Sequence, residues 1–139
     1  MAEISTNIIL DGITLALRSA FPDSHIEVNA IKQGLNPPAF IVLMVSNEYE
    51  TYPNSRQKRL PRFDIIYFPT ARREECYEMA DKLVEVLDVI ELPSGDKLRG
   101  SDVSIEISED VLHVLISYNH FVYKPAEQTY MSELELGGM

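Results

Sequence analysis

The side chains with which this chain could do chemistry are three histidines, one cysteine and a surplus of carboxylates. His25 opens one alternating stretch. His113 and His120 share another, and their odd separation sends them to opposite faces of a strand. No His-x-x-x-His or Cys-x-x-Cys spacing is present to begin a zinc or iron site. His120 is expected to be a half-buried side chain satisfied by a carbonyl. Cys76 falls on an apolar helical stripe, where a small hydrophobe belongs. To act as a nucleophile activated by Arg72 or Arg73 it would need exposure and a histidine base. Glu106, Glu109 and Asp110 gather near a turn and could hold a hard cation loosely, but a plain charged turn accounts for them. Phosphate-cradling glycine motifs and a Gly-x-Ser-x-Gly elbow are absent from the sequence. These residues name no reaction, no cofactor and no metal, so the expectation is a protein that is not an enzyme.

Bulk properties set the class. A chain of 139 residues, 45% hydrophobic and 24% charged, fits one globular domain. No apolar run approaches the ~18 residues of a membrane span. The start, Met1-Ala2-Glu3, lacks the basic and apolar segments of a secretory signal. A lone cysteine excludes an internal disulfide and fits a reducing cytosol. The formal charge of −10 opposes general nucleic-acid binding. Its distribution is uneven. Six of the twelve basic residues lie between Arg56 and Arg73, namely Arg56, Lys58, Arg59, Arg62, Arg72 and Arg73. After Lys124 none remains, while Glu127, Glu133 and Glu135 do. A basic middle between acidic ends is either a solvated turn or a surface matched to a partner or to another copy.

The elements that must position these residues follow from periodicity. Thr6 or Asn7 can cap a first helix to Ala20, with Ile9, Ile13, Ala16, Leu17 and Ala20 on one stripe. Gly12 inside it suggests a close approach to the sheet. A short strand is expected from His25 to Lys32, then a loop over Gly34 to Pro38. The apolar run Ala39 to Val45 starts a long hairpin, continued by polar and aromatic residues to Tyr52. A turn-rich segment from Pro53 to Pro61 precedes the returning strand Arg62 to Phe68. Thr70 can cap a second helix from Ala71 to Ile90, whose stripe is Cys76, Met79, Ala80, Leu83, Leu87 and Ile90. Arg72 and Arg73 oppose that helix's dipole, which points either to an external role or to ion pairs with Glu75 or Glu78. Leu92 to Lys97 form a turn or small ribbon. Ser101 to Ser108 alternate as a strand with one wet face. The last strand, Val111 to Lys124, puts Leu112, Val114, Ile116, Tyr118, His120 and Val122 on one face.

The order αβββαββ predicts an α+β two-layer sandwich, a mixed or antiparallel sheet with both helices on one face. The expected domain is 1–124, with 125–139 a flexible tail. A hairpin projecting from the core suits gripping a neighbour better than catalysis. Its candidate contact residues are Tyr49, Tyr52, Arg56, Lys58, Arg59, Leu60 and Arg62.

Over roughly residues 4–124 this layout resembles the tail-terminator (tail-completion) family of tailed phages and phage-derived contractile particles. The strand pair around Phe40-Ile41-Val42-Leu43 and Phe63-Asp64-Ile65-Ile66-Tyr67-Phe68-Pro69 carries the resemblance. So do the helix that follows at Ala71 and the closing strands Val114-Leu115-Ile116-Ser117-Tyr118 and Phe121-Val122-Tyr123. The resemblance implies a virion tail protein, assembled in the host cytoplasm, without catalytic residues, cofactor or metal. It implies a ring of this chain, usually six copies, capping the tail tube and offering the head-docking surface. Partners would be the tube protein, the head–tail connector and, in contractile tails, the last sheath layer. DNA would pass through the ring without sequence-specific contact, and no membrane is involved. Two rivals remain open at this point: a head–tail neck or connector component, and a small cytosolic enzyme or ligand-binding adaptor.

Overall fold

The computed structural model describes residues 4–28 and 36–123. The expected strand end at 29–32, the loop to residue 35 and the proposed tail 125–139 lie outside the described residues. In chain order the elements are α1 (Thr6–Ala20), β1 (His25–Val28), β2 (Ala39–Tyr52), β3 (Arg56–Phe68), α2 (Glu74–Val86), β4 (Val89–Glu91), β5 (Lys97–Arg99), β6 (Ser101–Ser108), β7 (Val111–Ser117) and β8 (His120–Tyr123).

The fold is the expected α+β sandwich. The main sheet runs β1-β2-β3-β7-β6, with β8 also on β3, and it is mixed because β1 pairs with β2 in parallel. Ile9, Ile13 and Leu17 of α1 and Cys76, Ala80 and Leu83 of α2 share one core. From the sheet that core takes Phe40, Val42, Phe63, Ile65, Leu112, Val114 and Ile116, so both helices cover the same face. Each fully buried aliphatic side chain contributes about 1.5–3 kcal/mol. A smaller cluster of Ala39, Ile41, Ile66 and Phe68 occupies the opposite face.

Several boundaries differ from expectation, each for a local reason. The Ser5 hydroxyl, not Thr6 or Asn7, caps α1 by accepting the Ile8 N–H at 3.3 Å. Gly12 does make a close approach, but to the ribbon β4–β5. A Cβ there would lie 2.9 Å from Leu92 Cδ2 and 3.2 Å from the Glu91 carbonyl. Helix α2 starts at Glu74, not Ala71, and Thr70 is not its cap. The Glu75 carboxylate instead accepts the N–H groups of Thr70, Ala71 and Arg72 and the Thr70 hydroxyl. The helix stops at Val86, short of Ile90. Val89 and Ile90 enter the ribbon instead, and Gly100 N–H binds the Asp88 carbonyl at 2.7 Å.

The hairpin strands also exceed expectation. The turn is confined to 53–55, with Ser55 in the left-handed region (φ 62), and residues 56–61 belong to β3. Pro61 is tolerated because the ladder on that side breaks there. The expected strand from Val111 splits into β7, ending opposite Arg62, and β8, resuming opposite Arg59. A proline has no N–H to donate across that gap. Tyr118 N–H binds the Pro61 carbonyl instead. The buried Tyr118 hydroxyl donates to the Leu87 carbonyl at 2.6 Å, tying sheet to helix end.

Candidate interaction surface at the hairpin tip

Pairing of β2 with β3 runs without interruption from Ser46↔Arg62 to Tyr52↔Arg56. Strand β8 lies along the other side of β3, setting Phe121 against Lys58 and Tyr123 against Arg56. Side chains directly opposite one another share a face. Tyr52, Arg56, Lys58, Phe121 and Tyr123 therefore occupy the face away from the helices.

There the Arg56 guanidinium lies over two rings, 5.0 Å from the centroid of Tyr52 and 4.4 Å from that of Phe121. The two rings meet edge to face at 5.9 Å, and the Lys58 ammonium sits 5.9 Å from Phe121. On the helix-bearing face Arg59 lies 5.1 Å over Tyr49 and donates through Nε to Gln57 Oε1 at 2.9 Å. Each such cation–ring contact is worth about 0.5–1 kcal/mol at an exposed site. The tip thus presents cations whose heads are held against aromatic rings.

The expected contact residues divide three ways. Tyr52, Arg56 and Lys58 come together on one face, and Tyr49 with Arg59 on the other. Leu60 is half-buried opposite Glu48. Arg62 is drawn off the tip altogether. Its guanidinium donates to the Asp102 carbonyl at 2.8 Å, the Ser117 hydroxyl at 3.0 Å and the Ser104 hydroxyl at 3.3 Å, pinning β3 to β6 and β7. Phe121 and the exposed Tyr123 were not among the expected residues. Their signal lay in the alternation of β8, which turns both rings away from the face of His120 and Val122.

The groups considered for catalysis do not converge. His113 Nδ1 meets Asp64 Oδ2 at 2.9 Å on the sheet face opposite the helices. Cys76 is fully buried on the helix side with its thiol toward the Asp110 carbonyl at 3.7 Å. Burial pushes that thiol's pKa up, outweighing the nearby Arg73. His120 is buried more deeply than expected, and its Nδ1–H donates to the Tyr118 carbonyl at 3.0 Å. Burial lowers its pKa. Arg73 pairs with Asp110 at 2.9 Å and donates to the Tyr77 hydroxyl, rather than pairing with Glu75 or Glu78. Among the described residues no group of three or more His, Cys, Asp and Glu is placed to hold a metal.

Among the described residues the hairpin tip gathers cations and aromatic rings, while the acids and bases considered for catalysis lie apart. The chain is a member of the phage tail terminator protein family, whose model matches residues 8–130. It is therefore a structural protein of a phage tail, taking part in tail assembly. No curated protein matches the chain. Among the described residues no helix is long and apolar enough to cross a membrane.

Proposed function

We propose that copies of this chain, six in number, close into a ring on the head-proximal end of the finished tail tube and present the surface to which the head docks. The observation that carries this reading is the family match across 8–130. The chain assembles in the host cytoplasm and stays in the virion tail, against the tube protein, the head–tail connector and, in a contractile tail, the last sheath layer. DNA passes through the ring, and the acidic surface keeps it from adhering. The hairpin tip supplies part of the contact between copies or with an adjoining tail protein, through Tyr49, Tyr52, Arg56, Lys58, Arg59 and Leu60. Support for the tip comes from its concentration of basic groups on a chain of net charge −10. Arg62 helps by fixing β3 in place rather than by touching a partner.

Deleting the gene from its phage or particle tests the reading. The expected result is tubes of uncontrolled length and heads without tails. Tubes of normal length that fail only at head joining would transfer the chain to the connector class. Normal particles would overturn both readings.

A further inference from the structure

Strand β6 closes one side of the main sheet. It pairs with β7, and among the described residues nothing pairs with its other side. The chain is described without a break from residue 36 to 123, so the strand and the elements beside it lie wholly inside that stretch. An antiparallel ladder uses alternate residues, and the remaining N–H and C=O groups of β6 point outward. An edge of this kind invites another strand and is usually blunted. A bulge with Asp102 in the left-handed region (φ 52) interrupts β6 near its start, but pairing is regular from Ser104 to Ser108.

The strand is bare on both faces. Ile105 lies opposite Val114 of the main core, so it points to the helix-bearing face, as does Val103 by alternation. A wet face was expected on this strand, but the apolar face is open too: Val103 is 42% and Ile105 44% exposed. Beside them runs α2, tied to this side of the sheet at both ends. Arg73 pairs with Asp110 of the β6–β7 turn, and the residue after the helix end, Asp88, pairs with Arg99 and accepts the Gly100 N–H. Tyr77 and Val84 lie between these ties on the same helical stripe, and both are exposed. Glu78, Asp81 and Glu85 stand exposed around them, without an ion pair among the described residues. Lys82, the one lysine of α2, falls about 100° further round the helix from Asp81. On its other face β6 presents Ser104 and Glu106, the latter opposite His113.

The open strand thus alternates apolar and acidic side chains beneath an acidic helix flank. Opposite charges and apolar pairs are what neighbouring strands match. We propose that β6 and the flank of α2 seat an extended segment of a different tail protein, one whose residues alternate between apolar and basic. Added as a further strand, it sets its apolar row against Val103, Ile105, Tyr77 and Val84 and its Lys or Arg row beside Glu106. A second copy of this chain is a poor occupant. Its basic strand β3 is flanked on both sides, by β2 on one and by β7 and β8 on the other. Two β6 strands would bring the acids of both into one ladder. The inference rests on the chain's place in a tail and is independent of six-fold closure.

Two measurements test it. In the first, a fluorescent eight-residue peptide alternating Val and Lys is titrated into the purified chain and followed by anisotropy. It should bind, whereas a peptide alternating Val and Glu should not. Val103→Asp combined with Ile105→Asp should weaken binding at least about tenfold, although it adds negative charge. The thermal midpoint should hold, because both positions are open. Equal affinity of both chains for the Val–Lys peptide would reduce the attraction to charge and overturn the seat. In the second, a photoreactive benzoylphenylalanine replaces Val103 in assembled tails, and the protein joined on irradiation is identified by mass spectrometry. The expected product is a cross-link to a different tail protein, within a segment alternating apolar and basic residues. A cross-link to a second copy would overturn the choice of partner, and no cross-link in tails that contain the chain would overturn the seat. Tails that form without the chain would instead count against its role in the tail.

Discussion

Glu75 organises the entry to α2 from inside its first turn. Its carboxylate collects the Thr70 hydroxyl and three backbone N–H groups, and these hydrogen bonds hold its pKa at about 2, against an ordinary 4.5. A depressed carboxylate pKa means that the folded state favours the charged form. Its contribution to stability is therefore complete above 4.5, declines as pH falls toward about 2, and is absent below that. The variant Glu75→Gln should lose stability at neutral pH and show a flatter decline through that window, measured by urea midpoints along a pH series. An identical slope in both proteins would remove Glu75 from the account. Arg62 works by a different route, as a three-armed clamp between β3 and the β6–β7 pair. Arg62→Ala should cost about 1–2 kcal/mol, since hydrogen bonds to charged groups are worth about 1.5–3 kcal/mol and this one is partly solvated. The readout is the thermal midpoint. Nothing in the sequence separated Arg62 from its basic neighbours, because the partners that claim it stand about forty or more residues away.

At the scale of elements, local pattern carried the interior well. The face of Leu112, Val114, Ile116, Tyr118, His120 and Val122 is buried as its alternation required. So is the Ile9, Ile13 and Leu17 stripe of α1, although Ala20 at its end is exposed. What local pattern could not carry was competition from distant groups. Glu75 displaced Thr70 from its expected role, and the ribbon claimed Val89 and Ile90 from the helix. The tip was legible only in part, because β8 approaches it from the far end of the chain and brings Phe121 and Tyr123 with it. Gly12 shows how contact can override propensity. Alanine at an exposed helix position gains up to about 1 kcal/mol over glycine. Here its Cβ would press on Leu92 and the Glu91 carbonyl, and overpacking costs about 1–3 kcal/mol. Gly12→Ala should therefore lower the thermal midpoint, and a raised midpoint would show that the ribbon yields freely. The tip itself should behave in the opposite sense. Lys58→Glu with Arg59→Glu should leave the midpoint within a few degrees while weakening assembly, and added salt should weaken it in the wild type. Undiminished assembly by this pair would reduce the tip to a solvated turn.

For the whole molecule, the fold gathers its main core between the two helices and one face of the sheet, with a smaller cluster on the other face. Two helices bury one face of the sheet, while Met44 and Tyr49 of β2 and Val103 and Ile105 of β6 remain exposed. Membership of the tail terminator family supports the proposal that such exposed surfaces serve assembly. The central claim is that the chain assembles with copies of itself. Light scattering of the purified chain across a range of concentrations addresses that claim most directly. The account predicts one closed species at six times the 15.8 kDa of the chain, with nothing larger at higher concentration. A monomer at every concentration, or a series that grows without limit, would contradict it.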